Sequence, residues 1–201
     1  MAARNGKIML DAPEININGV TANESCSVYN IFEGNQKTTG NSLKRFTAKN
    51  VNINGVNLQH NVFNFYNPED NAEITVKDST FDLNVKNSNV MRLSNLKNAK
   101  NVKVTFENVN WTYETIGGTD ADFEWAGLVL FQPFGKDLSY TGDNSAISTW
   151  TFKFKNCKYN GQKVTANDFK GHSQAIYFYD MNKSKAVSEP TEAGLPKIIF
   201  E

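Results

Sequence analysis

The chain has 201 residues, 39% of them hydrophobic and 12% aromatic, which excludes a disordered tail and allows a real core. Its 21 basic and 21 acidic residues cancel, so it lacks the one-signed field that non-specific nucleic-acid binding needs. Arginine, the residue of forked phosphate and guanine contacts, occurs only as Arg4, Arg45 and Arg92.

Residues 1–7 contain no long apolar run and no cleavage site, so they are read as an N-terminal arm and not as a signal peptide. No stretch approaches the ~20 apolar residues of a membrane span. These features predict a chain that folds in a host cytoplasm and does not enter a membrane. Cys26 and Cys157 lie far apart and form neither a disulfide framework nor a zinc spacing; they are read as buried free thiols.

From residue 8 onward one phrase recurs. Phe46-Thr47-Ala48-Lys49-Asn50-Val51-Asn52-Ile53 returns as Ile74-Thr75-Val76-Lys77-Asp78-Ser79-Thr80-Phe81. It returns again as Val104-Thr105-Phe106-Glu107-Asn108-Val109-Asn110-Trp111, and as Phe152-Lys153-Phe154-Lys155-Asn156-Cys157-Lys158-Tyr159. Upstream, Leu10 to Val20 aligns with Phe46 to Val56 at a spacing of 36, through Ile17-Asn18-Gly19-Val20 and Ile53-Asn54-Gly55-Val56. A second apolar run follows each phrase: Val28 to Phe32, Val62 to Asn67, Val90 to Leu93, Leu128 to Phe131 and Ala175 to Asp180.

Both kinds of run alternate with period two and favour Val, Ile, Phe and Thr, which is the pattern of strands. Asn and Gly punctuate them, and Asn is abundant at 28 residues. Repeats of this length predict stacked coils over 8–42, 43–70, 71–100, 101–146 and 147–182, with a tail over 183–201. Stacking places like on like. Phe46, Ile74, Val104 and Phe152 should form one inward ladder, and Ile53, Phe81, Trp111 and Tyr159 another. Asn50, Asp78, Asn108 and Asn156 should form a polar ladder at a bend. The competing reading is an antiparallel β-sandwich or jelly roll, which does not predict repeats without gaps.

The repeat resembles that of the right-handed parallel β-helix superfamily, the pectate-lyase-like fold, over about residues 8–182. The resemblance implies an all-β solenoid of about five coils. It is shared by pectinolytic enzymes, phage tailspikes and structural virion modules, so it does not choose among functions. The polygalacturonase-like motif of paired aspartates is absent, and Gly171-His172-Ser173 is only a fragment of a Gly-His-Gly segment. No nucleophile elbow, phosphate-binding loop or His-Glu-x-x-His is present, so no catalytic residue and no cofactor is assigned.

Insertions lengthen the coils at 34–42, 115–122 and 133–144, the usual place for contacts on a repeat protein. Trp125, Phe134 and Tyr140 beside these loops, and Ile198, Ile199 and Phe200 in the tail, are the candidate partner contacts. Asp120, Asp122 and Glu124 alternate and offer a minimal oxygen set for a hard cation. The expected function is that of a non-enzymatic virion protein. It would be a phage capsid-decoration, head- or fibre-associated component whose partners are other virion proteins or further copies of itself. The alternative is a tailspike-type module that binds or cleaves a glycan with aromatic platforms and paired carboxylates.

Overall fold

The computed structural model describes residues 8–10, 13–23, 27–34, 43–66, 68–83, 89–94, 99–113, 127–132, 146–165, 176–180, 185–186 and 196–201. The chain is all-β. Among the described residues there is only a one-turn 3-10 segment, Ile147–Thr149, besides strands and turns. The strands are β1 (Ile8–Leu10), β2 (Glu14–Asn18), β3 (Thr21–Asn23), β4 (Ser27–Gly34), β5 (Leu43–Lys49) and β6 (Asn52–Tyr66). They continue as β7 (Pro68–Leu83), β8 (Asn89–Ser94), β9 (Lys103–Tyr113), β10 (Gly127–Gln132), β11 (Thr151–Lys155) and β12 (Lys158–Tyr159). The last are β13 (Gln162–Lys163), β14 (Ile176–Asp180), β15 (Lys185–Ala186) and β16 (Lys197–Phe200).

Two series of parallel pairings organise them. One runs β2–β5–β7–β9–β11–β16, and the other β1–β4–β6–β8–β10–β14. A shorter flank of β3, the start of β6, the end of β7, the end of β9 and β12 continues the first series beyond a bend. The antiparallel pairings among the described residues are the small ones, β12 with β13 and β14 with β15. Parallel neighbours cannot be joined by a two-residue hairpin, and here each strand meets its counterpart one sequence repeat away.

The ladders read from the sequence are present. Phe46 pairs with Ile74, Ile74 with Val104 and Val104 with Phe152. Ile53 pairs with Phe81, Phe81 with Trp111 and Trp111 with Tyr159. Nearly all of these side chains are buried, because alternate residues of β5, β7, β9 and β11 face one interior. The opposite wall is Phe63 and Phe65 of β6, Met91 and Leu93 of β8 and Val129 of β10. Aromatic edges join the walls: Phe46 lies 5.2 Å from Phe63 and 4.6 Å from Phe65, and Phe63 lies 6.2 Å from Phe81. Trp150 is fully buried and donates its indole N–H to the Ala99 carbonyl at 2.8 Å, so its polar edge is satisfied inside.

The first repeat is aligned differently from the sequence reading. Ile15 stands beside Phe46, Ile17 beside Ala48 and Ala22 beside Ile53. Leu10 belongs to the other series, beside Gly34. The spacing of 36 rested on two Asn-Gly pairs that do different work. Gly19 turns the bend with φ 71°, whereas Gly55 sits at a register shift between Asn54 and Val56. The C-terminal segment also departs from a bare tail. β16 pairs with β11 in the same register, putting Ile198 beside Phe152 and Phe200 beside Phe154. The Phe106, Phe154 and Phe200 rings stack in succession at 5.5 Å.

The bend in each repeat is left-handed, just past β5 and β11 and within the long strands β7 and β9. Asn50, Asp78, Asn108 and Asn156 have φ of 53°, 50°, 53° and 51°, at the position Gly19 fills in the first repeat. Few residues besides Gly, Asn and Asp visit this region without cost, since a Cβ there crowds the following carbonyl. Nothing lies within 4 Å of a Cβ built on Gly19, so its φ and not lack of space favours glycine. The asparagines add bonds that glycine cannot make. Asn108 Nδ2 donates to Asp78 Oδ1 at 2.9 Å, and Asn156 Nδ2 donates to Asn108 Oδ1 at 3.4 Å. A second left-handed pair is Asn71, near the start of β7, and Asn101, just before β9, where Asn101 Nδ2 donates to Asn71 Oδ1 at 3.2 Å.

Asn108 is therefore a test of the bend. Asn108→Ala should destabilise the protein by roughly 1–3 kcal/mol, from αL strain together with lost hydrogen bonds. Asn108→Gly should lose less, because glycine keeps the φ at little cost. Urea unfolding midpoints at unchanged slope give the comparison. Equal losses for the two variants would mean that backbone strain plays no part.

Candidate functional site

Alternation decides which faces reach solvent. β6 buries residues of both parities, Val62 and Asn64 as well as Phe63 and Phe65, so neither of its faces there is open. The outward residues of β2, β5, β7, β9, β11 and β16 are exposed or half-exposed, and they form three rows. The first row is Glu14, Arg45, Glu73, Lys103, Thr151 and Lys197. The second is Asn16, Thr47, Thr75, Thr105, Lys153 and Ile199. The third is Asn18, Lys49, Lys77, Glu107 and Lys155, ending at Glu201 just past β16.

Parallel neighbours lie about 4.8 Å apart, so each row sets one side chain directly on the next. The first row answers this with alternating sign. Arg45 reaches Glu14 at 3.5 Å and Glu73 at 3.9 Å, and Lys103 reaches Glu73 at 3.8 Å. These side chains are half exposed or more, so each pair contributes at most about 1 kcal/mol, and their larger effect is on register. In the third row Lys155 Nζ donates to Glu107 Oε1 at 2.6 Å. That bond and the Glu107 charge raise the Lys155 pKa. A raised folded pKa makes its contribution complete below the ordinary lysine value of 10.5, and it is lost as pH climbs through the raised value. Lys153 of the second row lies 2.9 Å from the Glu201 carboxylate.

β16 closes this face with an edge. Among the described residues no strand lies on its far side. Lys197 N–H donates to the Trp150 carbonyl at 2.9 Å and Glu201 N–H to the Phe154 carbonyl at 2.8 Å. Alternation then turns the backbone N–H of Ile198 away from β11, toward the far side. Ile198 and Phe200 pack against the core and stay partly exposed. Ile199 points outward and is half-exposed.

Of the candidate contacts, Ile198, Ile199 and Phe200 are thus brought together on β16. Trp125, Phe134 and Tyr140 lie outside the described residues, as do Asp120, Asp122 and Glu124. Among the described residues no three His, Cys, Asp or Glu side chains converge on a metal position. Trp111 and Trp150 are core residues: Trp111 is 2% exposed and packs 5.4 Å from Tyr159, and Trp150 is closed off entirely. The charge row and the β16 edge escaped sequence reading. The signal for the row was the alternation of Glu14, Arg45, Glu73 and Lys103 at one repeat position. It becomes visible only once Gly19 is recognised as the bend. No family model, curated protein or solved structure matches the chain.

Cys157 is the described free cysteine, and it is buried. Its Sγ–H faces the Phe106 carbonyl at 3.4 Å and the Lys155 carbonyl at 3.5 Å. Burial pushes its pKa up from 9.0 to about 11, so the thiol stays neutral and weakly nucleophilic at pH 8. A Cys26→Ser variant isolates this group. Its native form should react with a thiol reagent at pH 8 far more slowly than its denatured form. Immediate stoichiometric reaction of the native protein would place Cys157 at the surface.

Proposed function

We propose that this chain is a non-enzymatic structural module, wound as a short right-handed parallel β-helix, that serves in a virion by binding neighbouring proteins of the particle. The winding is supported by the two series of in-register parallel strands, since parallel crossovers in one sheet are almost always right-handed. The observation that supports a binding role is the edge of β16. A strand edge with an outward N–H and a partly exposed apolar side chain on either side of Ile199 is suited to receiving another strand. The charged rows beside it favour register over catalysis. Their carboxylates are engaged with lysine or arginine one strand away, as in Glu73 with Arg45 and Glu107 with Lys155.

Immunogold labelling of particles from the native source tests this reading. Label at repeating positions on the particle, and co-sedimentation of the chain with it through a density gradient, are the expected results. Recovery of the protein only in the soluble fraction would overturn the virion role. Release of reducing sugar from a host surface polysaccharide by the purified protein would overturn the non-enzymatic one, in favour of the tailspike alternative.

A further inference from the structure

The two strand series advance together along the chain. β4 follows β2, β6 follows β5, β8 follows β7, β10 follows β9 and β14 follows β11, each couple facing the next through parallel bonds. Two strands are left without a companion among the described residues. β1 lies below β4 with no strand of the first series beside it, and β16 lies above β11 with no strand of the second series beside it. Each is half of a couple, and they are opposite halves.

We propose that the partner of the β16 edge is a second copy of this chain, added head to tail so that β16 of one copy and β1 of the next complete one couple. A single displacement satisfies both series at once. It lays β2 of the next copy along β16, and β1 of the next copy along β14. On the first contact the established register continues without a break. Lys197 meets Glu14 of the next copy, Ile198 meets Ile15, Ile199 meets Asn16, Phe200 meets Ile17, and Glu201 meets Asn18. The apolar pairs extend the inward ladders of Ile15–Phe46–Ile74–Val104–Phe152–Ile198 and Ile17–Ala48–Val76–Phe106–Phe154–Phe200. Lys197 to Glu14 extends the alternating charge row in which Glu14 already meets Arg45.

The second contact is compatible with the first. β15 covers only Tyr179 and Asp180 of β14, which leaves Ile176 to Phe178 open on that side among the described residues. Ile8 to Leu10 of the next copy match that length. The ladder Phe32–Phe63–Met91–Val129–Ile176 then leads on to Ile8, the residue that already pairs with Phe32 at the other end. Such an interface is heterologous: it uses different surfaces on the two copies and leaves a free edge at each end, so it propagates as a row and does not stop at a dimer. The proposal names the occupant of the edge invoked above. It rests on the strand edges and their register, so sugar release or absence from a particle would leave it standing.

The test uses charge reversal at the contact. The wild-type chain should show a mass that rises with concentration beyond a dimer in sedimentation velocity, and short rows in negative-stain micrographs. Glu14→Lys sets two lysines against each other at every junction, and Lys197→Glu sets two glutamates there. Each alone should need roughly three- to tenfold more protein to assemble, the range expected for turning an exposed attraction into a repulsion. Mixing the two variants allows junctions with opposite charges to form again and should improve assembly over either variant alone. A third chain, carrying Glu14→Cys, Lys197→Cys and Cys26→Ser, should form a covalent ladder of oligomers under mild oxidation, since paired strand positions lie within disulfide reach. A monomer at all concentrations with no covalent ladder would overturn the proposal. So would a closed dimer that does not grow, or a mixture of variants that assembles no better than either alone.

Discussion

The inward ladders and outer rows of this protein follow from parallel strands held in one register from Arg45 to Lys49 and through their counterparts in β7, β9 and β11, so that each of these residues lies on its counterpart one repeat away. Backbone bonding at about 4.8 Å spacing leaves no freedom to stagger side chains. Apolar positions profit from this, because identical flat rings can lie face to face, as Phe106, Phe154 and Phe200 do. Charged positions are endangered by it, because a repeated charge would sit on itself. Two of the outer rows resolve the conflict, one by alternating sign along Glu14, Arg45, Glu73 and Lys103 and one by the neutral series Asn16, Thr47, Thr75 and Thr105; the third sets Lys49 on Lys77, with Asp78 4.0 Å from Lys49. The repeat is thus strict in hydrophobicity and variable in charge.

The bends obey a second constraint, set within a single residue. A chain that turns the same way at the same place needs a backbone conformation most side chains resist, and asparagine tolerates it while bonding to its copy above or below. This links abundance to geometry. Seven non-glycine residues with positive φ are found among those described, and six of them are asparagine. The seventh, Asp78, accepts from Asn108 within the same ladder and has Lys49 nearby at 4.0 Å. At Ser79 the following inward position is polar but satisfied: its hydroxyl donates to the Lys77 carbonyl at 2.7 Å and accepts from Val51 N–H at 3.1 Å.

Much of this was legible in the order of residues alone. The strands, the two inward ladders and the asparagine bend follow from residues 46–159, where repeat length and motif agree. The first repeat misled because Ile17-Asn18-Gly19-Val20 is spelled like Ile53-Asn54-Gly55-Val56, and spelling does not record φ. β16 was obscured because its motif stops short. Lys197 to Glu201 keeps the apolar alternation of Thr151 to Lys155 and has no asparagine bend to mark its phase. The partner surface was harder still. An edge is defined by which strand is missing, and only the pairing order reveals that.

The intervals between stacked counterparts differ, 28 residues from Val51 to Ser79, 30 from Asp78 to Asn108 and 48 from Asn108 to Asn156, yet the ladder through them stays in phase. The extra length therefore falls between the paired positions, and the stacking phase is not affected by it. Counterparts advance in whole increments: a tandem duplication of one repeat would add one strand to each parallel series, a single interstrand step of about 4.8 Å. A gene built this way can adjust reach by copying and decoration by insertion, and neither edit disturbs the other.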